Sequence, residues 1–270
     1  PEAFANAFRV LLAIGGSTNG LIHMTAVAGR LGIQVDLQAL DRMGQETPVL
    51  VDLKPSGQHY MEDLEKAGGL VTVLRELRPQ LHLDCMTVTG RTLGEEIEAA
   101  PLPWDQDVVR PFNNPLYPQG GIAVLRGNLA PDGAIVKQSA ASEHLMDHVG
   151  SAVVFEDQED LANRIDDPNL DVGPDDILVM KNAGPKGAPG MPESGYLPIP
   201  KKLAAKGVKD MIRMSDARMS GTAFGSVVLH ITPEAADGGP LALVQNGDKI
   251  KLDVPKRRLD LLVDKDVMDR

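Results

Sequence analysis

Cysteine is nearly absent from this sequence, because Cys85 is the single cysteine among 270 residues. One cysteine cannot form a disulfide within the chain, so the composition favours a reducing compartment such as the cytoplasm. One cysteine also cannot provide the several thiolates that zinc and iron–sulfur sites usually take from a protein. The sequence therefore predicts a cytoplasmic protein whose own residues do not complete a cysteine-ligated metal site.

Long apolar runs and aromatic side chains are also scarce. The sequence has no run of about 18 apolar residues, which a transmembrane helix requires, and no signal-peptide pattern. Aromatic residues make up 3% of the chain, whereas all hydrophobic residues together make up 43%. We therefore expect no membrane partner and a core built mainly from Val, Leu, Ile, Ala and Met.

Basic residues are outnumbered, since 27 Lys and Arg face 38 Asp and Glu and give a net charge of −11. A surface that binds nucleic acid usually carries a basic cluster. The nearest candidate, Lys256-Arg257-Arg258, is too short to provide one. The charge balance therefore argues against a nucleic-acid partner.

The pattern of hydrophobic residues changes about 115 residues into the chain. Helical periodicity dominates the first part, beginning with residues 2–14. Residues 101–121 then hold five prolines and the pair Gly120-Gly121, which indicates a domain boundary. Short β-type runs separated by turns follow, which is typical of a mixed or barrel-like β domain. We expect one domain over residues 1–115 and a second, β-rich domain over residues 116–270.

A segment rich in glycine and proline, Gly184 to Pro192, ends on the carboxylate of Glu193. Alternating Gly and Pro lets the backbone approach a ligand closely while limiting the entropy of the loop. A carboxylate in such a loop suits a hard cation such as Mg²⁺, which prefers oxygen ligands. An ordinary surface turn with an exposed glutamate explains the same residues, so both interpretations stay open at this point.

A second motif, DARMSGT, places Ser220 on an expected sharp turn. A neutral serine is a poor base or nucleophile unless a neighbour or a metal activates it. Because no G-x-S-x-G elbow is present, a hydrolase triad is disfavoured, and His230 in the apolar run VVLHI reads as a packed core or cleft histidine. Arg218 and Thr222 could bind an anionic substrate, or they could satisfy hydrogen bonds of the turn.

A third motif, GGSTN at residues 15–19, precedes an expected helix. Free backbone amides and hydroxyls at such a helix start, including the hydroxyl of Ser17, can bind an anion. The motif is not a phosphate-binding P-loop, because no Gly-Lys-Ser/Thr follows it. Ordinary capping of the helix by Ser17 explains the pattern equally well.

The motifs, taken in order, resemble the dihydroxy-acid dehydratase and phosphogluconate dehydratase family. They are GGSTNGLIHMTAVA, DLKPSG, MEDLEKAGG, RGNLAPDGAIVK, VVFED, GPKGAPGMPE, DARMSGT and PEAADGGPLALVQNGDKI. The resemblance implies a hydro-lyase that converts a 2,3-dihydroxy carboxylate to a 2-keto acid. It also implies an α/β fold, with part of an N-terminal α/β domain followed by a C-terminal β-barrel-like swivelling domain similar to one in aconitase.

The resemblance further implies cofactors and roles for particular residues. Glu193 matches a glutamate that ligates Mg²⁺, Ser220 matches a serine that takes the C2 proton as an alkoxide, and Thr222 lies in the same substrate loop. An iron–sulfur cluster is implied, with [2Fe–2S] favoured, and its cysteine ligands are expected in a part of the family's proteins that precedes this chain. Because the sequence begins at Pro1 without Met, we expect a piece of a longer protein that is inactive alone and forms a homodimer or homotetramer when complete.

The serine loop and the segment before it indicate a branch of the family. The loop reads DARMSGTAFG and follows GYLPIPKKL, which resembles the dehydratases of sugar acids such as arabinonate or xylonate. Two alternatives stay open: a dihydroxy-acid dehydratase of branched-chain amino-acid synthesis, and a non-catalytic fragment or split subunit.

Overall fold

The computed structural model describes residues 1–54, 56–189, 197–219 and 224–268. The chain divides into two units, Pro1–Ile122 and Ala123–Arg270. The domain assignment made from the sequence, with its boundary after residue 115, stays a prediction. Among the described residues, none of the helices has both the length and the apolar character needed to cross a membrane.

The first unit consists mainly of helices, and residues that cap helices begin several of them. Ser17 and Asp36 each accept a hydrogen bond from the backbone amide two residues later. Thr92 and Glu95 form a reciprocal capping box. The helices are α1 (Glu2–Ala13), α2 (Thr18–Arg30), α3 (Leu37–Glu46), α4 (Met61–Lys66), α5 (Gly69–Glu76) and α6 (Leu93–Ala99).

The apolar run Pro48–Leu53 reads as a strand in the sequence, but the structure shows only isolated bridges there. Val49 bridges to Tyr117, Val51 to Val109, and Leu53 to His59. Leu50 and Val51 are buried in the core of this unit. The run is therefore buried, but it pairs with other segments only through single bridges and does not form a strand.

The second unit contains an eight-stranded sheet and three α-helices among its described residues. The helices are α7 (Gln158–Arg164), α8 (Lys201–Ala204) and α9 (Lys265–Met268). The strands are β1 (Ala123–Leu125), β2 (Gly133–Val136), β3 (Asp147–Phe155), β4 (Ile177–Met180), β5 (Arg213–Ser215), β6 (Val227–Thr232), β7 (Lys249–Asp253) and β8 (Arg258–Leu261).

The spatial order of the strands is β1-β2-β6-β5-β4-β3-β7-β8, and the sheet curls back on itself. Arg126, directly after β1, bridges to Arg258 at the start of β8, so the two edges of the sheet meet. The four central strands β3, β4, β5 and β6 run parallel, whereas the flanking pairs are antiparallel. The mixed α/β fold class with a barrel-like sheet is therefore confirmed.

The central strands are buried on both faces, which explains their continuous apolar runs. Val154 and Val179 belong to one hydrophobic cluster, and Val153 and Leu178 belong to another on the opposite face. Strand β5 is absent from the sequence-based prediction, because three residues that begin with a buried arginine do not look like a strand. Its position between β4 and β6 completes the parallel block.

Candidate functional site

The loops that follow the four parallel strands all leave the sheet at the carboxyl ends of these strands, a side that we call the carboxyl edge. In a parallel sheet the carboxyl ends of the strands lie together, and ligands usually bind just outside them. Lys181 follows β4, Asp216 follows β5, and Glu234 lies two residues after β6. The glycine- and proline-rich segment and the DARMSGT motif both begin at this edge, so the topology brings together two motifs that are far apart in sequence.

Asp216 links the beginnings of three of these loops. Its side chain is buried, and its two carboxylate oxygens accept hydrogen bonds from the backbone amides of Ala183 at 3.0 Å and Ala235 at 2.9 Å. Burial raises the pKa of the Asp216 carboxyl, the charge of Glu234 raises it further, and the amide hydrogen bonds oppose the shift. Asp216 therefore joins the segment after β4 to the segment after β6.

Glu234 holds the backbone of the glycine- and proline-rich loop. Its carboxylate accepts hydrogen bonds from the amide of Lys186 at 2.9 and 3.0 Å and from the amide of Gly187 at 3.1 Å. A Cβ atom at Gly184 would lie 2.6 Å from Oε2 of Glu234, so a larger residue there would displace this carboxylate from the amides that it binds. The side chain of Lys186 pairs with Asp237 beside it.

We expect Glu234→Ala to loosen this loop without unfolding the sheet. The amides of Lys186 and Gly187 lose their acceptor, so the free energy of local opening should fall by about 1–2 kcal/mol. Hydrogen exchange measured at these two amides should become correspondingly faster.

The matched control for that change is Asp237→Asn, which removes the ionic partner of Lys186 but keeps both amide bonds. Unchanged exchange at Lys186 and Gly187 in Glu234→Ala would show that the carboxylate does not hold the loop.

Lys181 is a buried cation at the same edge. Its ammonium group donates to Glu156 Oε1 at 3.1 Å and to the carbonyl oxygen of Ala242 at 3.1 Å, and only 6% of its side chain is exposed. A buried ammonium is stable only when it is paired in this way. Lys181 therefore joins the end of β3 to the 3₁₀ turn at Pro240–Leu243.

His230 lies near the end of β6 at a β-bulge. The register between β2 and β6 shifts there, because Ile135 pairs with Leu229 and Gly133 pairs with Thr232. The backbone of His230 has φ = 55°, which costs a non-glycine residue about 1–3 kcal/mol. Its amide donates to the carbonyl oxygen of Ala217 at 3.2 Å. His230 therefore contacts the segment that leads into Ser220.

His230 is 8% exposed, and its buried Nε2 has no hydrogen-bond partner among the described residues. Burial lowers the pKa of the imidazole to about 4, and the positive charge of Arg218 lowers it in the same direction. His230 is consequently neutral at neutral pH.

We expect this histidine to make the free energy of unfolding depend on pH. An unfolded histidine titrates near pH 6.5, so between about pH 6.5 and 4 the unfolded state binds one more proton than the folded state. Acidification through this window should destabilise the protein by roughly 3 kcal/mol in total from His230 alone. Denaturant unfolding of the wild type and of His230→Asn at several pH values measures the difference, and identical pH dependences would contradict the prediction.

Arg213 binds the backbone at the C-terminal ends of two segments, the glycine- and proline-rich segment and the serine loop. Its guanidinium donates to the carbonyl oxygen of Leu197 at 3.2 Å and to that of Phe224 at 2.7 Å. It also pairs with Asp210 at 3.5 Å, and both side chains are almost completely buried. Leu197 and Phe224 are the first described residues after the segments that hold Glu193 and Ser220.

Asp210 completes this arrangement below the loops. Its carboxylate accepts hydrogen bonds from the amide and the hydroxyl of Ser226, at 2.9 and 2.8 Å. A Cβ atom at Gly225, where φ is 106°, would collide with both Asp210 and Arg213. The ion pair of Arg213 and Asp210 is therefore packed against the backbone of Gly225 and Ser226, which directly precede β6.

The family models account for almost all of this chain. The N-terminal model of the dihydroxy-acid/6-phosphogluconate dehydratases matches residues 1–96, and the C-terminal model matches residues 107–270. The chain belongs to the dihydroxy-acid/6-phosphogluconate dehydratase family. The resemblance carried by the ordered motifs is thereby confirmed.

Individual relatives in this family differ in their named substrates. An L-arabinonate dehydratase of Rhizobium leguminosarum bv. trifolii is 55% identical over 262 residues, which are 96% of this chain and 45% of that protein. A 6-deoxy-6-sulfo-D-gluconate dehydratase of Pseudomonas putida is 50% identical over 98% of this chain and 46% of its own length. A dihydroxy-acid dehydratase of Methanothrix thermoacetophila is 43% identical over 100% of this chain and 49% of its own length. The chain thus spans about half the length of the curated relatives it matches.

Of the five site residues predicted from the sequence, two, Arg218 and Ser17, lie among the described residues. Arg218 lies half-buried at the carboxyl edge of the parallel strands, close enough to His230 for its charge to shift the pKa of that histidine. Ser17 lies in the first unit, where its hydroxyl accepts a hydrogen bond from the amide of Asn19 at 3.2 Å and caps α2. The predicted residues Glu193, Ser220 and Thr222 lie outside the described residues. The roles assigned to all five stay predictions.

The sequence-based prediction did not include the polar residues that hold the dehydratase loops, namely Lys181, Asp216, Glu234, Arg213 and Asp210. Lys181 directly follows the apolar run Ile177–Met180, and a polar residue at the end of a buried parallel strand is a usable signal. Arg213 and Asp210 give no such signal, because several of their partners, at Leu197, Phe224 and Ser226, are 11 to 16 residues away in the sequence.

Proposed function

We propose that the protein containing this chain is a hydro-lyase that dehydrates a sugar acid, such as arabinonate or xylonate, to a 2-keto-3-deoxy acid. The observation that carries the proposal is the 55% identity over 96% of this chain to an L-arabinonate dehydratase, against 43% to a dihydroxy-acid dehydratase. Both matches extend over nearly the whole chain, 96% and 100% of it, so the two identities can be compared directly.

The reaction breaks the C2–H and C3–O bonds of the substrate and releases one molecule of water. The enol that remains becomes the 2-keto acid by moving a proton to C3. We propose that Ser220 accepts the C2 proton, a role that requires its hydroxyl to be activated. Thr222, Arg218 and Ser17 are the proposed substrate-binding residues, and a guanidinium such as that of Arg218 suits a carboxylate.

The architecture of the described residues supports a role in positioning these groups. Asp216 and Glu234 hold the start of the glycine- and proline-rich loop, and Arg213 holds its far end and that of the serine loop. Groups that are held rigidly before the substrate binds lower the entropic cost of reaching the transition state. The parallel block of the barrel therefore acts as a scaffold for both loops.

The family's metal groups do not fit the described residues alone. These residues contain no cluster of three His, Cys, Asp or Glu side chains that could hold a metal ion, and Cys85 is the single cysteine of the sequence. We propose that an iron–sulfur cluster, of the [2Fe–2S] type, and Mg²⁺ serve the complete protein, with Glu193 as this chain's ligand to Mg²⁺. The steps proposed for the other residues of this chain are proton transfer at Ser220 and binding of the substrate.

The setting of the complete protein is also a proposal. We propose that it is cytoplasmic, which the lack of a disulfide-forming pair of cysteines in this chain supports, and that it forms a homodimer or homotetramer. Its partner in the reaction is a small hydroxy acid, and the net charge of −11 supports the absence of a nucleic-acid partner.

The test is to express the full-length protein anaerobically and to measure 2-keto acid formation from arabinonate and xylonate. Turnover of a pentonate is the expected result. Turnover of 2,3-dihydroxyisovalerate alone would assign the protein to branched-chain amino-acid synthesis, which the 43% identity to a dihydroxy-acid dehydratase keeps as the second candidate. Turnover of neither would overturn both proposals and favour a non-catalytic role.

A further inference from the structure

His230 combines a left-handed backbone with a buried and uncharged ring. Both features are unfavourable for an ordinary strand residue, and both occur at the edge of the sheet where the loops begin. Buried polar atoms are nearly always hydrogen-bonded, so a buried Nε2 that lacks a partner among the described residues requires an explanation.

The bulge in β6 determines where this ring points. Along a regular strand, side chains alternate between the two faces. Val228 belongs to one hydrophobic cluster and Leu229 to the cluster on the opposite face, but Ile231 belongs again to the cluster of Val228. Unbroken alternation would place Ile231 on the face of Leu229, so His230 is the extra residue of the bulge.

The segment that follows β5 brings a backbone carbonyl and a charged side chain near His230. Its amide contacts Ala217, and the charged side chain of Arg218 lies close enough to influence its ring. A guanidinium suits a carboxylate, and a neutral imidazole offers one donor and one acceptor, which suits a hydroxyl group. Together, these two groups match the two functional groups of a hydroxy acid.

We propose that Nε2 of His230 forms a hydrogen bond with a hydroxyl group on C2 or C3 of the bound hydroxy acid, beside the Arg218 guanidinium. This inference rests on the proposed function. Because Nε2 is shielded from solvent, a hydroxyl that reaches it meets little competition from water, which strengthens the bond. Hydrogen bonds in an active site often reach their final geometry only in the substrate complex.

The test uses the full-length protein and two variants that separate the ring from the backbone. His230→Gln keeps an amide group near the position of Nε2, whereas His230→Asn is too short to reach it but tolerates the left-handed backbone. For each protein, the dissociation constants of a pentonate, its 2-deoxy analogue and its 3-deoxy analogue are measured. Thermal unfolding of both variants checks that they are folded.

We expect His230→Asn to weaken pentonate binding roughly tenfold and His230→Gln to weaken it by less than about threefold. One of the two deoxy analogues should bind equally well to the wild type and to His230→Asn, because it lacks the hydroxyl concerned. If His230→Asn binds all three acids as tightly as the wild type, or loses the same factor for each, the inference is wrong.

A second measurement decides the case if His230→Asn does not fold. The ¹⁵N chemical shift of Nε2 in the wild type should move when the pentonate is added and stay in place with one deoxy analogue. No movement with any of the acids would overturn the inference. Turnover by the wild type separates this outcome from a failure of the proposed function, which would show as no turnover of any hydroxy acid.

Discussion

Arg213→Met is expected to lower the free energy of unfolding by about 3–5 kcal/mol. The substitution leaves the carboxylate of Asp210 buried without its cationic partner, and uncompensated buried charges are strongly destabilising. It also removes the donors to the carbonyl oxygens of Leu197 and Phe224. Denaturant unfolding of the wild type and the variant measures the difference, provided that the free energy of unfolding falls with denaturant concentration at the same slope in both proteins.

Two controls show that this effect comes from the buried pair. Arg213→Met combined with Asp210→Leu removes both charges, and it should be less destabilising than Arg213→Met alone. Lys201→Met breaks the solvent-exposed pair with Asp166 and should have a much smaller effect. A loss below about 1 kcal/mol in Arg213→Met would contradict the prediction, since that is the range of an exposed pair.

The same guanidinium has a functional consequence that Arg213→Lys can reveal. Lysine keeps the charge beside Asp210, but a single ammonium cannot reproduce the fork that reaches two carbonyl groups. We therefore expect Arg213→Lys to stay folded but to position the loops of Glu193 and Ser220 poorly. In the full-length protein this should appear as a lower kcat with a smaller loss of stability than in Arg213→Met.

Ser220→Ala in the full-length protein is expected to lower kcat by about 10²–10⁴-fold, the usual contribution of a positioned proton-transfer group. The visible absorption of the proposed iron–sulfur cluster should be unchanged, because the substitution removes only a hydroxyl. Steady-state kinetics with a pentonate and an absorption spectrum of the same sample test both parts.

The matched control is Thr92→Ala, which also removes one hydroxyl but at the N-cap of α6. It should cost about 0.5–2 kcal/mol of stability and leave kcat unchanged. Loss of the cluster absorption in Ser220→Ala would mean that Ser220 has a structural role. An unchanged kcat would remove Ser220 from the proposed mechanism.

Much of the fold could be predicted from local patterns in the sequence. The runs around Ile177–Met180 and Val227–Thr232 are apolar over four to six residues, and both are strands. Helices such as Leu37–Glu46 begin directly after a capping residue, here Asp36. These elements could be recognised because burial and capping depend on residues that are close together in the chain.

Strand β5 and the bulge in β6 could not be recognised in this way. Arg213–Ser215 is a strand only because β4 and β6 lie on its two sides and supply the hydrogen bonds. The left-handed backbone of His230 arises from the register between β2 and β6, which no local pattern in VVLHIT indicates. Both features depend on neighbours that are distant in sequence.

The sequence by itself determined the family, the order of the motifs, and the two loops whose glycines, prolines and serine suggest chemistry. Only the tertiary structure decided which side chains hold those loops. The carboxylates of Asp216 and Glu234 and the guanidinium of Arg213 bind backbone amides and carbonyls. Nearly every residue carries such backbone groups, whatever its side chain, so the sequence does not indicate which of them are the partners. The partners can be identified only once the fold has brought these segments together.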